Sequence, residues 1–240
     1  MNLKRFFPFF AVTALVVTNI SCSSSNDSND GNVSINAKAS INSSNIGSRN
    51  PDNVILTDFL INIREIEFEI DDDLDDNNIE DLIGEDKVEL QGPFELDLLS
   101  GSTSINIANV DLPNNTYDEI EFDFHKSQNT SSELFDKSIL IRGTINDVPF
   151  VFWHDTEEEF EVDFSNDTVD IVVDGGTTNI TINFDLDIIF GAASSVDFSS
   201  ATDGNNNGVI EINPNDDDGN RALADFIKNL LEESSDLLDD

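Results

Sequence analysis

From Val33 to Phe190 apolar and polar residues alternate with period two, the signature of strands that bury one face. Val33, Ile35, Ala37 and Ala39 make the first run. Phe59, Ile61 and Ile63 make the second; Ile66, Phe68 and Ile70 continue it in the opposite parity, which predicts a β-bulge near Arg64-Glu65. Phe94, Leu96 and Leu98 form a strand with Pro93 at its start, followed by Ile105 and Ile107 and a turn at Leu112-Pro113-Asn114-Asn115. Ile120, Phe122 and Phe124 alternate with Glu119, Glu121 and Asp123, so this strand has one wet, acidic face. Ile139-Ile141 and Val148-Phe150-Phe152 flank Asn146-Asp147, a hairpin turn. Phe160, Val162 and Phe164 come next. Val169, Ile171 and Val173 lead through Asp174-Gly175-Gly176 into Ile180, Ile182, Phe184, Leu186 and Ile188, read as a second hairpin. No helical segment before residue 219 is long enough to carry a crossover between parallel strands. The expected fold is therefore all-β, an antiparallel β-sandwich or barrel.

Two segments leave this pattern. Residues 71–86 hold nine acidic residues and read as a charged loop with a short helix at 79–83. From Asn220, Leu223, Phe226, Ile227, Leu230 and Leu231 recur at helical spacing, which predicts a C-terminal α-helix with these residues on one face. Asp216 to Asp218 stand where they can cap it.

The start of the chain has its own pattern. Lys4 and Arg5 precede an apolar stretch from Phe6 to Val17, too short to span a bilayer. A basic start, a short apolar run and a small residue before a cut define a secretory signal, assigned to residues 1–21. Ile20-Ser21-Cys22 resembles the bacterial lipobox, with Asn19 and Ser21 in place of its usual Leu and Gly or Ala. That resemblance implies acylation of Cys22, the only cysteine, and anchorage in a membrane. The other reading is an ordinary signal followed by a chance cysteine. Residues 22–32 then form a flexible tether rich in Ser, Asn and Asp. The tether is similar to the stretch that directs Bacteroidetes lipoproteins to the cell surface, with Asp27 and Asp30 as its acids. An outer-membrane, surface-exposed location is what this implies. The remaining chain divides into a β-sandwich, 33–198, and a segment 199–240 packed on it.

Charge narrows the partners. The chain has 11 basic and 50 acidic residues and a net charge of −39; loss of Lys4 and Arg5 with the signal brings the mature charge to −41. Such a surface repels nucleic acid and attracts divalent cations and basic partners. A solvated acidic surface that only confers solubility explains the same composition.

Phe94-Glu95-Leu96-Asp97-Leu98-Leu99 with Gly101, then Leu112 to Tyr117, then Ile120 to Phe124, resemble a domain of unknown function in Bacteroidetes lipoproteins. Asn115 stands where that family has Gly. Ile141-Arg142-Gly143-Thr144-Ile145 with Val148-Pro149-Phe150 adds to the likeness, which spans 55–190. It implies an Ig-like or transthyretin-like sandwich in the envelope and brings no catalytic residue.

One motif carries chemistry. Asp203-Gly204-Asn205-Asn206-Asn207-Gly208-Val209-Ile210-Glu211 matches the first nine positions of a Ca²⁺ loop and resembles EF-hand and dockerin loops. The expected ligands are Asp203, Asn205, Asn207, the Val209 carbonyl and Glu211. Pro214 stands at the twelfth position, so Asp216 or one of its neighbours Asp217 and Asp218 is expected to complete the shell. An Asn/Gly-rich linker is the competing reading. Asp71, Asp73, Asp75 and Asn77 share the spacing but lack the glycine, and read as a solvated loop. His125, His154 and Asp155 offer zinc-type ligands that no spacing brings together. Asp167-Thr168-Val169 resembles a Bacteroidetes O-glycosylation sequon at Thr168. The function expected from all this is a non-enzymatic envelope lipoprotein that binds Ca²⁺. The alternative is a carbohydrate-binding accessory lipoprotein with Trp153 as the stacking platform.

Overall fold

The computed structural model describes residues 30–41, 53–70, 87–101, 104–162, 171–191 and 193–239. Cys22, the loop 71–86 and Thr168 lie outside them. The strands are β1 (Asp30–Ser40), β2 (Val54–Ile70), β3 (Lys87–Asp97), β4 (Ile105–Pro113), β5 (Asn115–Phe124), β6 (Ile139–Ile145), β7 (Val148–His154), β8 (Glu159–Val162), β9 (Ile171–Val173), β10 (Thr177–Asp185), β11 (Ile210–Ile212) and β12 (Ser235–Asp239). Two helices, α1 (Asp187–Phe190) and α2 (Arg221–Glu233), complete the described elements apart from one 3₁₀ turn at Phe198–Ser200.

Alternation built these strands as expected. Val33, Ile35, Phe59, Ile61, Ile63, Ile66, Phe68, Ile120, Phe122 and Phe124 are all buried. They sit between a small sheet, β12-β10-β1-β4, and a large one, β11-β7-β6-β2-β5-β8, to which β3 adds on β2 and β9 on β5. Phe59 of the large sheet meets Phe184 of the small one edge to face, centroids 5.6 Å apart. The fold is an all-β sandwich; among the described residues one helix, at the C-terminal end, is longer than a single turn.

Four local expectations are corrected. The sheets are mixed: β1 pairs with β10, and β11 with β7, in parallel. No crossover helix is needed, because the chain between β1 and β10 builds β4 and most of the large sheet before returning. β9 and β10 are not a hairpin; β9 pairs with β5 and β10 with β1, so the Gly175-Gly176 turn carries the chain from one sheet to the other. Pro93 lies inside β3. It is tolerated because β3 is an edge strand and Gly92-Pro93 bulges opposite Arg64. The strand that begins at Thr177 stops at Asp185, and Ile188 belongs to α1.

The expected bulge is present at Ile63/Glu65. It lies beside a junction. β6 pairs with Val54–Ile61 and β5 with Ile63–Ile70, end to end along one edge of β2. Asn62 is the pivot: its N–H donates to the Ser138 carbonyl at 2.8 Å and its carbonyl accepts from His125 N–H at 3.3 Å. The loop from His125 to Ser138 leaves and re-enters there.

Candidate functional site

The loop that follows the 3₁₀ turn closes on its own oxygens. Asp203 accepts from the N–H groups of Asn207 at 3.0 Å and Gly208 at 2.8 Å. Asn205 Oδ1 accepts from Asn207 N–H at 3.0 Å, and Asn207 Oδ1 from Val209 N–H at 2.8 Å. The chain can bend this tightly because Gly208 takes φ 90° and Asn206 φ 61°. Glu211 Oε2 accepts from the amides of Asn205 at 2.6 Å and Asn207 at 3.2 Å. Hydrogen bonds thus link four of the expected ligands into one loop: Asp203, Asn205, Asn207 and Glu211. Ile210 and Ile212 are buried and pair with Phe150 and Phe152 through β11, which pins the loop to the large sheet.

Asp218 is the group that sequence spacing did not single out among its neighbours. It is 5% exposed. One oxygen accepts from Asn205 N–H at 3.0 Å and the other from Glu211 N–H at 2.7 Å. Asp216 instead accepts from Arg221 N–H at 2.9 Å, at the first residue of α2. Asp217 accepts from Asn213 Nδ2. Of the three, only Asp218 faces the loop. Asn220 ties the two ends together, donating to the carbonyls of Thr202 (2.8 Å) and Glu211 (2.9 Å) and accepting from Thr202 N–H. The oxygens of Asp203 and Asp218 are thus held by N–H groups of the chain, and Glu211 Oε2 by the side-chain amides of Asn205 and Asn207. Among the described residues, Asp203, Glu211 and Asp218 are not in the carboxylate groups whose oxygens gather within 4.8 Å of one another.

A second acidic feature covers the outer face of the large sheet. Glu89, Glu67, Glu121 and Glu161 lie directly opposite one another across β3, β2, β5 and β8. Carboxylate oxygens come within 4.8 Å in the groups Glu65-Glu67-Glu89, Glu67-Glu69-Glu121 and Glu119-Glu121-Glu161. Burial and then the surrounding glutamates Glu69, Glu159, Glu67 and Glu161 raise Glu121 above the ordinary carboxylate value. Glu65 is raised by burial and Glu89 against the pull of Arg64. Lys87 bonds Glu67 at 2.8 Å, and Arg64 pairs with Asp123 at the bulge. Alternation alone put these acids outward; the row itself depends on register, which no single strand encodes.

The histidines stay apart. His125 Nδ1 is 3.5 Å from Glu157 and lines an open acidic cleft with Arg64, Asp123 and Glu159. His154 lies 3.7 Å from Asp225 on α2. Its burial lowers its pKa below the ordinary value, against the opposing pull of Asp155 and Asp225. Trp153 is half-buried on the large sheet with Lys137 Nζ 5.5 Å from its ring centroid, so the face that would stack on a sugar carries a cation. Among the described residues no helix is long and apolar enough to cross a membrane. No family model, curated protein or solved structure matches the chain.

Proposed function

We propose that the protein is a non-enzymatic lipoprotein of the cell envelope, anchored through Cys22, that binds Ca²⁺ in the loop from Asp203 to Asp218. The observation that carries the calcium reading is the enclosure of Asp203, Asn205, Asn207 and Glu211 around the Gly208 bend, with Asp218 buried against them. An ion would draw the oxygens of Asp203, Glu211 and Asp218 off the N–H groups that hold them, and Asn220 would pass the ordering of the loop to α2. Binding to the folded state alone stabilises it by ~2.7 kcal/mol at a hundredfold excess over Kd. Because an acidic surface collects Ca²⁺ diffusely, the test is a comparison by calorimetry. Asp203→Ala and Asp218→Asn should each abolish one saturable site, and Asp73→Ala should keep it. Titrations of all three that match the parent would refute the loop as a metal site. The anchor is tested separately: Cys22→Ser should stop incorporation of radiolabelled palmitate.

A further inference from the structure

The junction of β5 and β6 leaves a cleft of about 270 Å³ that the calcium reading does not use. Ligand pockets start near ~300 Å³, so this one has room for a single ring. It lies between the bulge at Arg64 and Gly92-Pro93 on one side and the loop from His125 to Asn129 on the other. The charged groups at its margin already have partners. Arg64 pairs with Asp123, Lys126 lies 3.5 Å from Glu157, and Glu95 accepts from the hydroxyls of Ser127 and Ser132. Beside His125, what remains is neutral amide. Gln91 spends its Nε2 on Glu65 at 2.6 Å and keeps its carbonyl oxygen. Asn129 spends Oδ1 on Ser131 N–H at 3.1 Å and keeps its NH₂. Gln128 is exposed. Asn62 is 2% exposed; its Nδ2 donates to the His125 carbonyl at 2.6 Å, and its Oδ1 has no hydrogen-bond partner.

We infer that this cleft binds one sugar unit of a neutral glycan. Hydroxyls donate and accept, as the exposed amides of Gln91, Gln128 and Asn129 do. The Pro93 ring gives the C–H face of a sugar something apolar to lie on. Glu157, Glu159 and Glu161 in the adjoining acidic cleft disfavour an anionic ligand. Gly92 is required for the shape: a Cβ there would stand 2.7 Å from the Ile63 carbonyl oxygen. The inference is independent of calcium and places the sugar away from Trp153.

Saturation-transfer NMR of the mature protein with glucose, galactose, mannose and N-acetylglucosamine, and with glucuronate as the charged control, tests it. At least one neutral sugar should receive saturation. The double variant Gln128→Ala, Asn129→Ala changes only exposed side chains and should weaken binding about tenfold, which is ~1.4 kcal/mol. Trp153→Ala should leave it unchanged. The inference falls if none of the four sugars binds, if binding survives the double variant, if glucuronate is preferred, or if Trp153→Ala abolishes the signal.

Discussion

Tyr117 holds the chain where it passes from the small sheet to the large one. It is fully buried, and its hydroxyl donates to the Pro113 carbonyl at 3.0 Å, four residues upstream. Burial, then the charge of Asp30, pushes its pKa up to about 12. A raised pKa means that the fold favours the protonated phenol. This contribution is whole below the unfolded value near pH ~10 and is lost as pH rises towards 12. Tyr117→Phe should cost about 1–2 kcal/mol in urea melts at neutral pH and remove the tyrosine's share of the alkaline loss. Phe122 and Phe184 point inward, as their alternation with acids predicts. Alanine at either should cost ~3–5 kcal/mol; a loss below ~1 kcal/mol would mean a surface site.

At the scale of elements, the β6–β7 hairpin is the clearest case of a turn written in the chain. Asn146 and Asp147 take φ 51° and 67°, the left-handed pair that a two-residue turn demands. Asp147→Gly removes the Cβ penalty and should raise stability by about 0.5–1 kcal/mol in chemical denaturation. Strand faces, the bulge at Arg64 and this turn were legible because period and turn chemistry are local. Pairing was not. Nothing in Val33 to Ala39 names β10 as a parallel neighbour, and nothing in Glu67 names Glu121. The loop was legible as a motif, but choosing Asp218 over Asp216 required the path of the chain after Pro214. The helix shows a similar limit. Ile227, Leu230 and Leu231 are buried as spacing predicts, with Ala224 beside them. Phe226 is 39% exposed, because the sandwich covers a narrower arc than the apolar stripe. The chain then leaves the helix to add β12 to the edge of β10, an ending that helical spacing gave no reason to expect.

Across the whole molecule the glutamates make stability depend on pH in opposing ways. Glu65 and Glu121 are raised in the fold, so their contribution grows as pH falls through their raised values to the ordinary carboxylate one. Glu158 is lowered, first by its bond to Lys228, and its contribution is present at neutral pH and lost as pH falls through its depressed value. Glu121→Gln should therefore raise the melting temperature at pH ~7, by the equivalent of about 0.5 kcal/mol, and lose that advantage in mild acid. Differential scanning calorimetry over that range checks it. The parallel pairing of β1 with β10 bears on a different question, the order of events in time. Asn32 to Ser40 lie beside Thr177 to Asp185, with the strands of the large sheet between them in the chain. A polypeptide delivered from its N-terminus presents β1 first and β10 among the last strands. Until β10 arrives, one edge of β1 has no neighbour, and the apolar row Val33, Ile35, Ala37 lacks half of its own sheet. Contacts this distant in sequence form slowly. The small sheet therefore stays incomplete until most of the chain's length is present.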